Sequence, residues 1–462
     1  MENNENIYHQ YKRSVKEKVK TNLVNVCSRT NQIQFPIWQS VLCNTLRLHK
    51  LDVNVIDTIP IDLDKREEWF KSQLSDEPEI YGFSIMAGNN QIIDVDKYAK
   101  IIKQHNKKNI VIFGGPLPSA CPELIMKNCS CDYIICGEGE TSLPQLIYDL
   151  INYQNNNSNT DKPEEIVRSD IKIRPLDKYS ELDLNNIKTD FDMNFYIGYL
   201  KEANFSWELM ASRGCRFNCA FCYKLCGTGM TYRAPDFILD EIQFFKEEFN
   251  FHKFYFVDEN FFADKEWFDN FIKRKNERGL EFTFRGMSRA ETITDELCEV
   301  GKKNGLLSIS FGIESVSDDT LRKVGKGTSK KLIEETIKRL TKYDLRASMG
   351  FVYGFEWETK EDWKATYDFI IKHNIQGFFK LSHLTPLPAT RIYDKAIKDG
   401  FIKDEFEYIK SLGDLYWTKA VNMTSEPDEV YNYWYKKISD LNTKQVTYPT
   451  SYKFLKQIKK IY

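Results

Sequence analysis

The chain has 462 residues, 42% of them hydrophobic and 14% aromatic, enough for two or three packed domains. Its 65 Lys and Arg nearly balance 67 Asp and Glu, for a net charge of −2, so no chain-wide positive field draws it to nucleic acid or an anionic membrane. Met1 to Lys20 is polar with no apolar core, and no apolar run reaches bilayer-spanning length, so the cytoplasm is the expected location and no membrane partner is expected.

From Asn22 to about Ile151, short apolar strands alternate with helical stretches: Leu23–Cys27, Val53–Ile56, Ile80–Ile85, Ile110–Phe113 and Tyr133–Cys136. That alternation predicts a parallel sheet covered by helices. Gln154 to Asp170 is polar and Asn-rich and reads as a linker or surface loop. A second alternation begins near Trp207, with strands expected at Glu208–Ser212, Lys253–Val257, Glu281–Arg285, Leu307–Gly312, Ala347–Tyr353 and Gly377–Ser382. Six β/α units suit a partial barrel whose chemistry lies at the C-terminal ends of the strands. Beyond about Gly400 the pattern is helical and aromatic-rich (Tyr416, Trp417, Tyr431, Tyr433, Trp434, Tyr435), read as a cap whose rings serve packing. The expected organisation is an extension (1–21), an α/β domain (22–153), a linker (154–205), a partial barrel (206–398) and a helical cap (399–462).

Eleven cysteines in a cytosolic chain argue for metal ligation or nucleophiles where they cluster, rather than a disulfide framework. The scattered Cys27, Cys43, Cys121 and Cys298 read as small core residues. The cluster follows the first barrel strand, where Ser212-Arg-Gly-Cys-Arg-Phe-Asn-Cys-Ala-Phe-Cys-Tyr223 contains Cys-x3-Cys-x2-Cys. Three thiolates at Cys215, Cys219 and Cys222 can bind three irons of a [4Fe–4S] cubane and leave the fourth open to a further ligand. The alternatives are coincidence or a structural zinc site, which favours paired Cys-x2-Cys knuckles; no second knuckle or nearby His is present. Cys226 reads as a bystander, with a fourth ligand or a reactive thiol as alternatives.

This spacing resembles the defining motif of the radical S-adenosylmethionine (SAM) superfamily, and segments downstream resemble that family's signatures in order. They are Phe256-Val-Asp-Glu-Asn-Phe261, Arg285-Gly-Met-Ser-Arg289, Phe311-Gly-Ile-Glu-Ser315, Met349-Gly-Phe-Val-Tyr-Gly354 with Glu358-Thr359, and Pro386-Leu-Pro-Ala-Thr390. The resemblance implies that SAM occupies the open iron and that Glu314 binds its ribose, with Phe221, Asp258, Arg289 and Ser315 as further cofactor contacts. A solvated turn or helix cap for Asp258 and Glu259, and a structural salt bridge for Arg289, are the bland readings beside it. Gly312 and Gly350 would let backbone approach the cofactor closely.

The first domain resembles the cobalamin-binding domain fused to one large radical SAM class. Phe83-Ser-Ile-Met86, Phe113-Gly-Gly-Pro116 and Gly137-Glu-Gly-Glu140 each follow a strand, so Ser84, Gly114, Gly115, Gly137, Glu138 and Gly139 are the expected tail-binding edge. The loop Ser28 to Pro36 has no histidine, so a bound cobalamin would lack the usual lower ligand from this loop. The fold expected is thus α/β: a doubly wound, Rossmann-like cobalamin domain, a partial (β/α)6 radical SAM barrel and a small helical cap. The resemblance implies a cobalamin-dependent methyltransferase for an unactivated carbon or phosphorus of a small-molecule or peptide substrate, with an electron donor such as flavodoxin or ferredoxin. A rearrangement or cyclisation, a methylthiotransferase and a non-enzymatic cobalamin or redox sensor are the competing functions.

Overall fold

A computed structural model of the chain describes residues 19–26, 33–88, 91–155, 161–168, 181–223, 229–413 and 421–442. The described residues form two compact units: 19–26, 36–86, 91–155, 161–168 and 181–193 make up the first, and 33–35, 87–88 and the described residues from Asn194 on make up the second.

The first unit is built on β1 (Thr21–Asn25), β2 (Val53–Asp57), β3 (Ile80–Ser84), β4 (Ile110–Gly114), β5 (Tyr133–Cys136) and β6 (Ile166–Arg168). All pair in parallel, in the order β2-β1-β3-β4-β5-β6. Strands such as Ile110-Val-Ile-Phe are continuous apolar runs because helices cover both faces of such a sheet. One core joins Leu23, Ile80, Ile112 and Ile135 to Cys43 and Leu46 of helix Ile37–Leu48 and to Leu143, Leu146, Ile147 and Leu150 of helix Gly139–Asn155. The strand order reverses between β1 and β3, the kind of switch point at which open α/β sheets bind ligands beyond their C-terminal ends.

All five strands expected here are present, each within two residues of its expected bounds. The segment read as a linker does more than connect: Ile166–Arg168 adds β6 at the sheet edge. Further on, the Arg47 guanidinium bonds Asp183 at 2.5 Å and Asp190 at 2.6 and 2.8 Å, tying that stretch back to helix Ile37–Leu48. Three-residue β6 is too short for a period to register in sequence, and the charged partners of Arg47 lie far along the chain. Cys43 and Cys298 are buried as expected of core residues, Cys121 is half-buried, and Cys27 lies outside the described residues.

The second unit holds β7 (Trp207–Leu209), β8 (Ser212–Arg213), β9 (Thr231–Tyr232), β10 (Lys253–Phe256), β11 (Thr283–Ser288), β12 (Leu306–Glu314), β13 (Arg346–Tyr353) and β14 (Phe379–His383). Six of them pair in parallel and in chain order, β7-β10-β11-β12-β13-β14, as a curled half-barrel whose edges do not meet. Alternation of period two divides the faces. Phe254, Phe256, Phe284, Ile309, Phe311, Ile313, Met349 and Phe351 are buried beneath the helices, and the intervening Tyr255, Arg285, Ser308, Ser310, Gly312 and Gly350 take the opposite, concave face. The remaining two strands form an antiparallel ribbon, β8 with β9, that closes the base of the cysteine loop.

The C-terminal helix Asp428–Ser439 packs its Tyr431 onto the strand ends. The Tyr353 hydroxyl donates to the Tyr431 carbonyl at 2.6 Å, the Tyr431 hydroxyl lies 2.9 Å from His383 Nδ1, and Tyr435 stacks on His383. Packing is therefore the use made of Tyr431 and Tyr435, while Tyr433 is exposed and Tyr416 and Trp417 lie outside the described residues.

Gly115 is the most constrained turn of the first unit. Its φ is +90°, and a Cβ there would stand 2.7 Å from Ser84 Oγ and 2.8 Å from Ile85 N. Gly115→Ala is expected to lower stability by about 1–3 kcal/mol, read by urea unfolding; an unchanged midpoint would contradict this close packing of the β3 and β4 loops.

Candidate functional site

The cysteine loop leaves β7 and is pinned at its base before the first thiol. Asp258, buried at the end of β10, accepts the Ala211 N–H at 3.1 Å and the Ser212 hydroxyl at 2.5 Å. Burial pushes its carboxyl up to about 6 while these bonds pull it back. Beside it Arg233, ion-paired with Glu241 at 2.6 Å, donates to the Met210 carbonyl at 3.0 Å. A charge-paired arginine and a buried carboxylate thus fix the two residues that precede β8.

The thiol-bearing turn is held from the other strand ends. Ala220 N–H bonds the Val324 carbonyl at 2.9 Å, and Arg391 donates to the Asn218 carbonyl at 2.9 Å. Arg289 is buried over the Phe217 ring at 3.6 Å, with Nη1 3.6 Å from Cys219 Sγ and Nη2 donating to Glu291 and to the Lys326 carbonyl. Lys326 in turn pairs with Glu314 at 2.8 Å. Positive charge therefore stands directly behind one thiol, where it suits an anionic iron–sulfur cluster.

Cys219 is buried, Cys215 half-buried and Cys222 open to water. Protein nonetheless surrounds the Cys222 thiol closely enough to push it up to about 12, first by desolvation and then through Glu259, Cys219 and Cys215. A cationic iron centre beside the Cys222 thiol would relieve that cost of ionising it. Among the described residues no three His, Cys, Asp or Glu side chains converge as the ligands of one metal ion would. A cubane, which engages each thiolate at a separate iron, is the group these donors fit. Cys226 lies outside the described residues.

Glu314 ends β12 with φ +62°, beyond a register shift at Gly312. A Cβ on Gly312 would fall 1.9 Å from Glu314 Oε1 and 3.0 Å from Lys326 Nζ, so only glycine leaves room for that carboxylate. Gly350 pairs with Gly312 across β13, and the two glycines make a side-chain-free strip beside Glu314. Ser315 is buried, and its hydroxyl accepts the Ser317 N–H at 3.2 Å in a local turn. Phe221 packs edge-on to Phe355 at 5.8 Å. Glu358, from the fifth-strand signature, is buried and accepts Gly354 N, Phe355 N and Trp363 Nε1 at 2.9, 3.2 and 3.1 Å, which makes it a loop anchor. Sequence reasoning missed Lys326, Arg233 and Glu241; a buried Arg–Glu pair eight residues apart has no pattern that separates it from surface charge.

In the first unit, the Ser84 loop and the two glycine loops stand side by side on adjacent β3, β4 and β5. Ile85 N–H bonds the Gly114 carbonyl at 2.9 Å. The Ser119 hydroxyl accepts Gly137 N–H at 3.0 Å and donates to the Gly115 carbonyl at 2.7 Å, knitting the last two loops together. Gly137 has φ +94°, and Gly139 opens helix Gly139–Asn155 against Leu42. Glu138 is half-buried between these glycines. Such a flat backbone edge, with no Cβ at Gly114, Gly115 or Gly137, suits a nucleotide tail. Residues 28–32 of the histidine-free loop lie outside the described residues.

A half-barrel with three cysteines in Cys-x3-Cys-x2-Cys after its first strand defines a radical SAM protein, and residues 209–370 match the Radical SAM superfamily. Residues 25–147 match the B12 binding domain. The chain therefore belongs to the family of radical SAM enzymes that carry an N-terminal cobalamin-binding domain, with a [4Fe–4S] cluster, SAM and cobalamin as its cofactors. It is 28% identical over 381 residues, 79% of each chain, to an uncharacterized methyltransferase of Pyrococcus horikoshii. It is 25% identical over 293 residues, 62% of this chain and 59% of the relative, to bacteriochlorophyllide d C-12(1)-methyltransferase of Chlorobaculum tepidum. The fold is similar to that of the radical SAM methyltransferase TsrM from Kitasatospora setae, solved with cobalamin and a [4Fe–4S] cluster, at TM-score 0.66 and 14% identity over 83% of this chain and 75% of that one. Among the described residues no helix is long and apolar enough to cross a membrane.

Asp258→Ala removes the acceptor of two buried donors at the root of the cysteine loop. It is expected to cost about 1–3 kcal/mol in urea unfolding and to lower the iron bound per chain after anaerobic reconstitution. Wild-type values for both would contradict the anchoring role.

Proposed function

We propose that this protein is a cobalamin-dependent radical SAM methyltransferase acting on an unactivated carbon or phosphorus of a small-molecule or peptide substrate. The observation that carries the reading is the joining, in one chain, of a cysteine-triad half-barrel to a parallel sheet with a serine loop and two glycine loops at its ligand-binding edge. The methyltransferase names of both relatives support it.

When bound, the cluster with SAM supplies a 5′-deoxyadenosyl radical and cobalamin supplies the methyl carrier. Cys215, Cys219 and Cys222 hold the cluster, and Arg289 supports Cys219 through its guanidinium. Glu314 accepts hydrogen bonds from the ribose hydroxyls of SAM, oriented by Lys326, while Gly312 and Gly350 admit the cofactor. Arg289 acts here as a positioning residue, since both terminal nitrogens of its guanidinium are engaged by protein groups. Phe221, Asp258 and Ser315 act likewise through packing and hydrogen bonds rather than by reaching the cofactor. Ser84, Gly114, Gly115 and Gly137 to Gly139 line the cobalamin tail. The electron would come from a low-potential one-electron donor such as flavodoxin or ferredoxin, and the cytoplasm is the compartment that keeps the thiols reduced.

Methyl transfer is distinguished from rearrangement by what SAM becomes. A single turnover of the reconstituted, cobalamin-loaded protein with reductant and no added substrate is expected to release S-adenosylhomocysteine, measured by mass spectrometry. Release of 5′-deoxyadenosine alone would contradict methyl transfer.

A further inference from the structure

The concave face of the half-barrel carries a half-buried guanidinium, that of Arg285, which the cluster chemistry does not use. Arg285 lies on β11, in register with Tyr255 on β10 and Ser308 on β12, and Tyr255 is in register with Glu208 on β7. Its guanidinium carbon stands 4.2 Å from the Tyr255 ring centroid, so the fork rests flat on an aromatic shelf. Its Nε is buried without a hydrogen-bond partner among the described residues. Glu208 acts on it electrostatically, but burial pushes that carboxyl up to about 7, and Gln34 is its hydrogen-bond partner. A half-buried guanidinium whose Nε is buried without a partner, beside a carboxyl that burial keeps from full ionisation, is the kind of group a ligand completes.

The row's position says where that ligand would lie. Ser308 pairs with Arg285, and Gly312, four residues along β12, belongs to the strip proposed to admit SAM. Four residues of strand span roughly 13 Å. The face between them offers the hydroxyls of Ser308 and Ser310, with Ser348 in register beside Ser310. A molecule filling this face would present one end to the cofactor and the other to Arg285.

The geometry points to Arg285 as the specificity residue of the substrate site, shelved on Tyr255 to grip a carboxylate or phosphonate at the end of the substrate remote from the carbon or phosphorus that reacts. This rests on the methyltransferase reading, which places the substrate within the half-barrel. A planar fork suits such anions because it can donate two parallel hydrogen bonds, and stacking on Tyr255 holds the plane fixed. The charged and titratable groups of this row are Glu208, Tyr255, Arg285 and Arg346, the last in register with Ser308 on β13. Glu208 is the one that titrates near neutrality: protonated below about 7 it leaves Arg285 to the ligand, and ionised above that it competes for the guanidinium. Anion affinity should therefore fall as pH rises through about 7, and Glu208→Gln should flatten that dependence.

The test uses reconstituted, SAM-loaded protein and calorimetric titration with hexanoate and hexylphosphonate as probes, against hexanamide and hexylamine of matching length. The anions are expected to bind at least about tenfold more tightly than the amide or amine, Arg285→Gln to remove that preference, and Arg285→Lys to keep part of it. Retained cluster absorbance and SAM affinity show each variant to be folded. Equal binding of all four probes, or an unaltered preference in Arg285→Gln, would overturn the proposal. So would loss of SAM affinity in Arg285→Gln with the cluster intact, since the anion held would then be the carboxylate of SAM. Release of S-adenosylhomocysteine by the wild type tests the methyltransferase reading separately, so either claim can fail while the other stands.

Discussion

The barrel mouth depends on the buried Arg289 guanidinium. It lies on Phe217, contacts the Cys219 thiol, and bonds Glu291 and the Lys326 carbonyl, so one cation links the cysteine loop to the ends of β11 and β12. A buried charge needs partners, and both terminal nitrogens find theirs among groups that belong to the site, while Nε is buried without one among the described residues. Lys326 carries the linkage on to Glu314, whose left-handed backbone and clash-free space over Gly312 exist only as a set. Glu314 and one candidate cluster ligand, Cys219, are thus parts of one hydrogen-bonded unit, and displacing a member costs its neighbours their partners.

Much of this architecture was legible from the chain because it obeys simple periods. The barrel strands occur where short apolar runs alternate with amphipathic helices, and their parallel pairing in chain order follows from right-handed β/α units. The cysteine triad was legible because chelation fixes spacing. The ribbon β8–β9 was not, since each strand has two residues and its partner lies beyond the cysteine loop. The role of Asp258 was only half legible: an acidic turn reads as solvated or as a cofactor contact, whereas its carboxylate is buried and spent on Ala211 and Ser212. Lys326 is one lysine among many in sequence, and only the fold brings it against Glu314.

The first unit shows the same division. Gly115 and Gly137 were recognisable as loop glycines, and their positive φ values show why the positions exclude other residues. Ser119, which joins their loops with one hydroxyl, carried no signal because a serine in a short helix is unremarkable. Side chains that position a site through the backbone are the class that sequence patterns conceal, since any donor of suitable reach could do the same work.

The central claim is that Cys215, Cys219 and Cys222 together hold the cluster that cleaves SAM. Its most direct measurement is iron content and reductive SAM cleavage in the variant with all three replaced by Ala, reconstituted anaerobically beside the wild type. The account predicts a wild type that binds a [4Fe–4S] cluster and releases 5′-deoxyadenosine on reduction, and a variant that folds, binds no cluster and releases none. A variant that retained both cluster and cleavage would contradict it.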